Sequence, residues 1–124
     1  MENQLAQPEI LIRRIAIVAL ALVLVIGAII LSFHMMRISD PYFQSILSLN
    51  GDSARGHAIF QINCAGCHGM EAAGRVGPSL QNVSQRKSKI GLIEQVTSGE
   101  TPPMPKFQPH PQEMADLLSY LQQL

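Results

Sequence analysis

QINCAGCHGM, residues 61–70, holds both cysteines of this 124-residue chain, with a histidine directly behind the second. Two thiols and an imidazole in this arrangement suit three chemistries. They can close a disulfide beside an unrelated histidine, supply half of a zinc site, or attach a porphyrin covalently while presenting a ligand to its metal. What surrounds the stretch decides among them.

A structural zinc ion takes four ligands. No second cysteine pair exists, and His57 and His110 would have to be recruited at unusual spacing. A thioredoxin-like redox pair follows a strand, whereas Cys64 follows a helical pattern. A bare disulfide leaves His68 without a role. Cys64-Ala65-Gly66-Cys67-His68 fits the C-x-x-C-H pattern of covalent haem attachment. Thiols three residues apart at a helix end reach two vinyl groups on one porphyrin edge, and His68 is then carried beneath the ring toward iron. The sequence therefore predicts one covalently bound haem c on Cys64 and Cys67, with His68 as an axial ligand.

A second axial ligand is sought downstream. Met104 sits in TPPMPKF, residues 101–107, a proline-stiffened extended stretch far enough beyond His68 to pass round a ring edge. Met70 is too near His68 to reach the other face, and Met114 belongs to a helix in which methionine usually packs a core. His57 lies on the helix before the motif, where a surface position is the ordinary one. His110 shares the loop with Met104 and competes with it. An iron with no sixth ligand is the third possibility.

Outward from the motif the pattern is helical. Asp52 or Ser53 can cap a helix through ARGHAIFQINCAG, in which Gly56 and Phe60 share a face and Ile59 lies roughly in line with Ile62. Residues 69–87 read as loop. A stripe of Ile90, Leu92, Ile93 and Val96 stops at Ser98-Gly99. Residues 101–111 carry proline repeatedly and must be non-helical. A last helix begins at Pro111, with Glu113 in its first turn, and runs through Met114, Leu117, Leu118 and Leu121. No strand signal and no repeat are present, so the soluble part is all-α, with loops long enough to wrap a bulky group. It is small and lacks tryptophan, so an apolar macrocycle would complete its core.

The other half of the chain is of a different kind. Residues 1–50 hold 31 of the 58 hydrophobic residues. IAIVALALVLVIGAIILSF, residues 15–33, carries no charge and as a helix spans about 28 Å, close to the hydrocarbon thickness of a bilayer. A signal peptide has a shorter apolar run and a small-x-small cleavage site; this run ends in Ser32-Phe33-His34-Met35-Met36-Arg37. The segment reads as an uncleaved transmembrane anchor. Arg13 and Arg14 precede it, so the positive-inside rule puts residues 1–14 in the cytoplasm and the rest of the chain across the membrane. Residues 34–51 read as an interfacial linker and residues 52–124 as the haem domain. Within the linker, Asp40-Pro41 opens a short helix whose Tyr42, Phe43, Ile46 and Leu47 either meet the membrane interface or pack on the domain. Net charge is zero and each half balances separately, which argues against a nucleic-acid partner. Arg86, Lys87 and Lys89 form the densest basic cluster, which reads as a solvated turn.

Gly56-x-x-x-Phe60, Cys64-x-x-Cys67-His68, Gly77-Pro78-x-Leu80, Met104-Pro105 and Leu117-x-x-Tyr120-Leu121, in this order, resemble the class I c-type cytochromes over almost all of residues 52–124. The anchor together with GHAIFQINCAGCHG and TPPMPKF resembles in particular the membrane-anchored cytochrome c-M family of cyanobacteria. The resemblance implies a small class I cytochrome c fold around one covalent haem, preceded by a single N-terminal transmembrane helix. It implies that Gly56, Phe60 and Tyr120 form the crossing of the first and last domain helices. It implies also that the Pro78 carbonyl accepts a hydrogen bond from His68 Nδ1, with His68 and Met104 as axial ligands. The implied function is one-electron transport in a photosynthetic or respiratory chain, with redox proteins as partners, no small-molecule substrate and no enzymatic reaction. The haem domain would then lie in the thylakoid lumen or periplasm. Rival readings are a haem-based sensor or regulatory subunit, which needs an open iron, and a fixed relay in a terminal oxidase, which needs the same ligands as a carrier.

Overall fold

The computed structural model describes residues 8–124; residues 1–7, which include half of the predicted cytoplasmic N-terminus, lie outside the described residues. The chain divides into two compact units, Met1–Arg37 and Ile38–Leu124.

The first is one helix, α1 (Pro8–Ile38), with no buried residue. Proline at its first position costs no hydrogen bond, because the first N–H groups of a helix have no internal partner. It is the single helix among the described residues long and apolar enough to cross a membrane, and it extends beyond the uncharged run of residues 15–33 at both ends. Apolar side chains face every direction around it, the pattern of a helix solvated by lipid. The one hydroxyl in its apolar stretch, Ser32, donates to the Ala28 carbonyl at 2.8 Å, so it needs no external partner.

The second unit is built from six helices. Asp40 caps α2 (Pro41–Ser48) by accepting from the Tyr42 N–H at 2.8 Å. Of the two fates open to this helix's apolar face, packing is what the structure shows. Ile46 is buried in the core and the Tyr42 hydroxyl donates to the Pro109 carbonyl at 2.8 Å, while Leu47 and Leu49 remain exposed. The segment read as an interfacial linker thus gives one helix to the second unit.

Asp52 then caps α3 (Ser53–Asn63), accepting from the Ala54 and Arg55 N–H groups. This helix crosses α7 (Pro111–Leu121). At the crossing a β-carbon on Gly56 would stand 2.0 Å from the Asp116 carbonyl oxygen and 2.9 Å from Tyr120 Cβ. Only a residue without a side chain lets the backbones come so close. Phe60, fully buried, lies with its ring centroid 5.2 Å from that of Tyr120, and His57 stacks on the other side of Tyr120 at 4.8 Å. Ile59 is half-buried, but Ile62 is 83% exposed, so it does not follow Ile59 into the core. A rotation of about 300° over three helical positions carries it past the edge of the buried stripe.

Asp116 ties the crossing together. Its carboxylate accepts from the Asp52 N–H at 2.7 Å, Arg55 Nε at 2.9 Å and Gln112 Nε2 at 3.0 Å. Burial alone would raise this carboxyl; the bonds from Arg55, Asp52 and Gln112 outweigh that and hold it below the usual carboxylate range.

The remaining elements enclose the site. Residues 69–82 are irregular, as expected, but the stretch read as loop also contains one helical turn, α5 (Val83–Arg86), entered through Asn82 in the left-handed conformation. Its anchor is Val83, 4% exposed; a single buried residue leaves no periodicity to read in a sequence. Ser88 caps α6 (Lys89–Ser98), which buries Leu92, Ile93 and Val96 and ends at Gly99 with φ 68°. Residues 101–110 run without helix to α7.

Candidate functional site

Cys64 ends α3 and opens α4 (Ala65–His68), a single turn. Its carbonyl accepts from both the Cys67 N–H at 3.1 Å and the His68 N–H at 3.0 Å. That double acceptance winds the two-residue spacer into one turn, which brings both thiols and the imidazole to one end of α3. The cysteines are free thiols, Cys64 half-buried and Cys67 exposed. Burial, and secondarily the nearby Cys67, push the Cys64 thiol up to about 11, so in the haem-free chain it is protonated.

His68 is buried, 9% exposed. Its Nδ1 lies 2.8 Å from the Pro78 carbonyl oxygen. A carbonyl only accepts, so Nδ1 carries a proton, and in the neutral ring that tautomer leaves the Nε2 lone pair as the one available to a metal. Gly77 forms the floor of the slot. A β-carbon there would meet His68 Cε1 at 2.7 Å and Nδ1 at 2.9 Å. The turn leading to this floor is tied to the cysteine motif by Gly74 N–H to the His68 carbonyl and Gly77 N–H to the Cys67 carbonyl, both 2.7 Å. Leu80 N–H donates to the Ala72 carbonyl at 2.8 Å, and Ala72 is fully buried. The loop of residues 72–80 is thereby wrapped around one imidazole.

Met104 approaches from the proline-rich segment. It is half-buried and packs, as Cys64 does, against the shared core. Its N–H donates to the Thr101 carbonyl at 2.9 Å. Gln95 on α6 gives its amide to the Thr101 hydroxyl at 2.9 Å and points the same nitrogen at the Met104 sulfur, 4.0 Å away. The competing histidines are engaged elsewhere. His110 Nδ1 accepts from the Gln112 N–H at 3.4 Å and its own N–H donates to the Glu113 carboxylate at 3.0 Å, a capping box at the start of α7. His57 Nε2 lies 2.9 Å from Gln61 Nε2. Met114 is in the core and Met70 is 56% exposed.

These residues suit a haem c. A histidine held in one orientation in a fitted slot, two free thiols on the same turn and a thioether on a proline-stiffened loop are the donor set such a group needs. No cluster of three or more His, Cys, Asp or Glu side chains arranged to hold a metal ion exists among the described residues, so nothing there supports the zinc reading. Three participants were not legible in the sequence. Gly77 was visible as part of a motif but not as the floor of the slot. Gln95 is set by a six-residue separation from Thr101 that no local rule encodes. Arg86, read as part of a solvated turn, donates from Nη1 to the Gln81 carbonyl at 2.9 Å and from Nη2 to the Ser79 carbonyl at 3.1 Å.

With this fold and donor set in place, likeness to other proteins is informative. Residues 51–121 match the family described as cytochrome c oxidase, cbb3-type, subunit III. Cytochrome c-553-like from Synechocystis is 62% identical over 85 residues, 68% of this chain and 81% of that protein. Cytochrome c-554(547) from Halothiobacillus neapolitanus is 35% identical over 57 residues, 45% of this chain and 62% of that one. Among solved structures, cytochrome cL from Hyphomicrobium denitrificans superposes with a TM-score of 0.51 at 22% identity, over 68% of this chain and 58% of its own length; this likeness concerns the fold alone. The chain belongs to the c-type cytochromes, a family of electron carriers with covalently bound haem. The all-α class I fold expected from the sequence is the fold it has.

Proposed function

We propose that this protein is a membrane-tethered, single-haem c-type cytochrome that carries one electron at a time between redox proteins of a photosynthetic or respiratory membrane. The observation that carries the reading is the pinned imidazole: His68 Nδ1 on the Pro78 carbonyl, Gly77 beneath the ring, and both thiols of the same turn free. Cys64 and Cys67 would carry the thioether attachments, and His68 Nε2 and the Met104 sulfur would hold the iron.

Haem held there supplies a one-electron ferrous/ferric couple. The protein's part is to set and protect that couple. Pro78 keeps the imidazole in one tautomer and raises its basicity. Met104, as a weak thioether donor, would favour the reduced state and would leave no open position on the iron for a substrate. Net charge is zero, so encounters have little long-range steering and vary little with salt. α1 serves as the anchor, with residues 1–14 cytoplasmic and the haem domain in the lumen or periplasm. Tethering then confines diffusion to the membrane plane and raises the effective concentration near membrane partners.

A second reading is a fixed relay in a terminal oxidase, favoured by the description of the matching family. Purification in mild detergent separates the two, since a relay leaves the membrane with its oxidase and a carrier leaves alone.

The primary test is the visible spectrum of the purified full-length protein, ferric and ferrous, with and without carbon monoxide. A ferric sulfur-to-iron band and a ferrous spectrum unmoved by carbon monoxide are expected. An immediate shift with carbon monoxide would overturn the closed His68/Met104 site and bring the sensor reading forward.

A further inference from the structure

The carbonyl that orients His68 belongs to an irregular loop, and an irregular loop needs something to fix its peptide planes. Pro78 has no N–H of its own, and its carbonyl lies in the peptide plane it shares with Ser79. The direction of that carbonyl therefore depends on how residue 79 is held. Ser79 is held on both sides. Its hydroxyl oxygen accepts from the Gln81 N–H at 3.2 Å, and its carbonyl accepts from Arg86 Nη2 at 3.1 Å. Arg86 Nη1 takes the Gln81 carbonyl two residues on at 2.9 Å. The Gln81 side chain in turn donates to the Glu71 carbonyl at 2.7 Å. Arg86 is the C-terminal residue of α5, so the clamp joins a helical turn, anchored in the core through buried Val83, to the loop that faces the imidazole.

We propose that Arg86 is a positioning residue for His68: its planar guanidinium spans the Ser79 and Gln81 carbonyls and so fixes the Pro78–Ser79 peptide whose oxygen accepts the imidazole proton. This rests on the haem-binding reading of His68. Residue type matters here. A guanidinium presents two donors in a rigid fork to two acceptors at once, whereas an ammonium is a point charge on a flexible stem and cannot hold both in fixed register. The neighbouring Lys87 and Lys89 carry the same charge; the fork is what sets Arg86 apart. The clamp also explains why one residue of a basic cluster differs from the others in role although all three are exposed.

Loosening the clamp weakens the hydrogen bond from His68 Nδ1 to Pro78 without touching either residue. The imidazole becomes a poorer donor to ferric iron, and the reduction potential moves upward. The test uses the full-length haem-loaded protein and three variants: Arg86→Gln, Arg86→Lys, which keeps the charge, and Lys87→Gln, which removes a charge next door. Two quantities are read, the solvent exchange rate of the His68 Nδ1 proton in the ferrous protein by NMR and the midpoint potential. In both Arg86 variants haem stays attached, the proton exchanges about tenfold faster, the loss of roughly one net hydrogen bond, and the potential rises; Lys87→Gln leaves both unchanged. Unaltered exchange and potential in both Arg86 variants would overturn the proposal. So would an Arg86→Lys protein that matches the wild type while Lys87→Gln reproduces the shift of Arg86→Gln, since charge and not the fork would then be responsible. Wild-type protein without covalent haem would fail the parent reading instead, before any variant is compared.

Discussion

The histidine side and the methionine side of the site are held by different means. His68 is surrounded by backbone. Carbonyls and N–H groups of residues 67–80 close on the ring through bonds of 2.7–2.8 Å, and a glycine stands where any side chain would collide with it. Met104 is held by a stiff chain and a single side-chain donor: prolines at 102, 103 and 105, a turn to the Thr101 carbonyl, and Gln95 at 4.0 Å from the sulfur. One side is built as a slot of fixed shape, which costs it any tolerance of added volume. The other is a strap whose order comes from restricting the unfolded chain, so it tolerates substitution but can be displaced. The imidazole is therefore fixed in orientation by the protein alone, whereas the thioether depends on its stiff segment and on Gln95.

Breaking the slot is expected to have the largest effect. Gly77→Ala puts a methyl within 2.7 Å of His68 Cε1, and neither the ring, fixed by Pro78, nor the backbone has room to yield. A cost of about 1–3 kcal/mol is expected from overpacking. More telling will be a drop in the fraction of chains carrying covalent haem with a normal low-spin spectrum, read from the ratio of haem absorbance to protein. A variant with full haem content and an unchanged spectrum would show that the slot is not rigid.

Met104→Ala removes the strap's ligand and leaves the slot intact. Haem should remain attached, the potential should fall, and carbon monoxide should bind the ferrous protein at once. The stability cost is about 1–2 kcal/mol, smaller than for a fully buried methionine, because Met104 is half-buried. An unchanged potential would remove Met104 from the axial position. The comparison predicts the asymmetry itself: the glycine substitution impairs loading, and the methionine substitution impairs only what the loaded protein does.

The slot and the strap were unequally legible in the sequence. Cys64, Cys67, His68 and Met104 could be read because each obeys a spacing rule or sits in a compositional extreme. The helix starts at Pro41 and Pro111 could be read because proline and a cap announce them, whereas the α3–α7 crossing came from the family resemblance carried by Gly56, Phe60 and Tyr120. What escaped was set by tertiary contact. The turn α5 rests on one buried valine, Ile62 points outward although its period suggests otherwise, and Arg86 spends its charge on two carbonyls that local pattern does not place near it. His110 competed with Met104 because it shares the same loop; its hydrogen bonds to the first turn of α7 are visible only once the helix start is fixed. Local rules nominated the donors. The shell that orients them is long-range.

Both sides hang on the crossing of α3 and α7, and Asp116 tests how far the site depends on it. Asp116→Asn keeps an acceptor for the Asp52 N–H but loses the charge facing Arg55, at an expected cost of about 1 kcal/mol at pH 7. The sign of the pH dependence follows from the direction of the shift. Asp116 is held below the usual carboxylate range when folded, so its contribution is fully present above the unfolded value and is lost as pH falls through the lower, folded one. Denaturant unfolding of the two proteins should differ at pH 7 and converge below about pH 4. The visible spectrum at pH 7 should be the same in both, because neither slot nor strap contacts this carboxylate.

The smallest expected effect is the sharpest probe of the strap. Pro105→Ala touches an exposed residue whose ring makes no donor and whose removal frees one backbone angle. If Met104 owes its position to a chain already stiff when unfolded, alanine here costs only about 0.4–1 kcal/mol, through the greater freedom of the unfolded chain. The same freedom should speed the transient release of the sulfur, so ferrous protein should bind carbon monoxide slowly but measurably faster than the wild type while the equilibrium spectrum stays that of the closed site. A binding rate unchanged by Pro105→Ala, with the loss of stability intact, would mean that the strap is held by its contacts with Gln95 and Thr101 and that its prolines serve the fold alone. The two sides of the site would then differ less in kind than in how many bonds hold them.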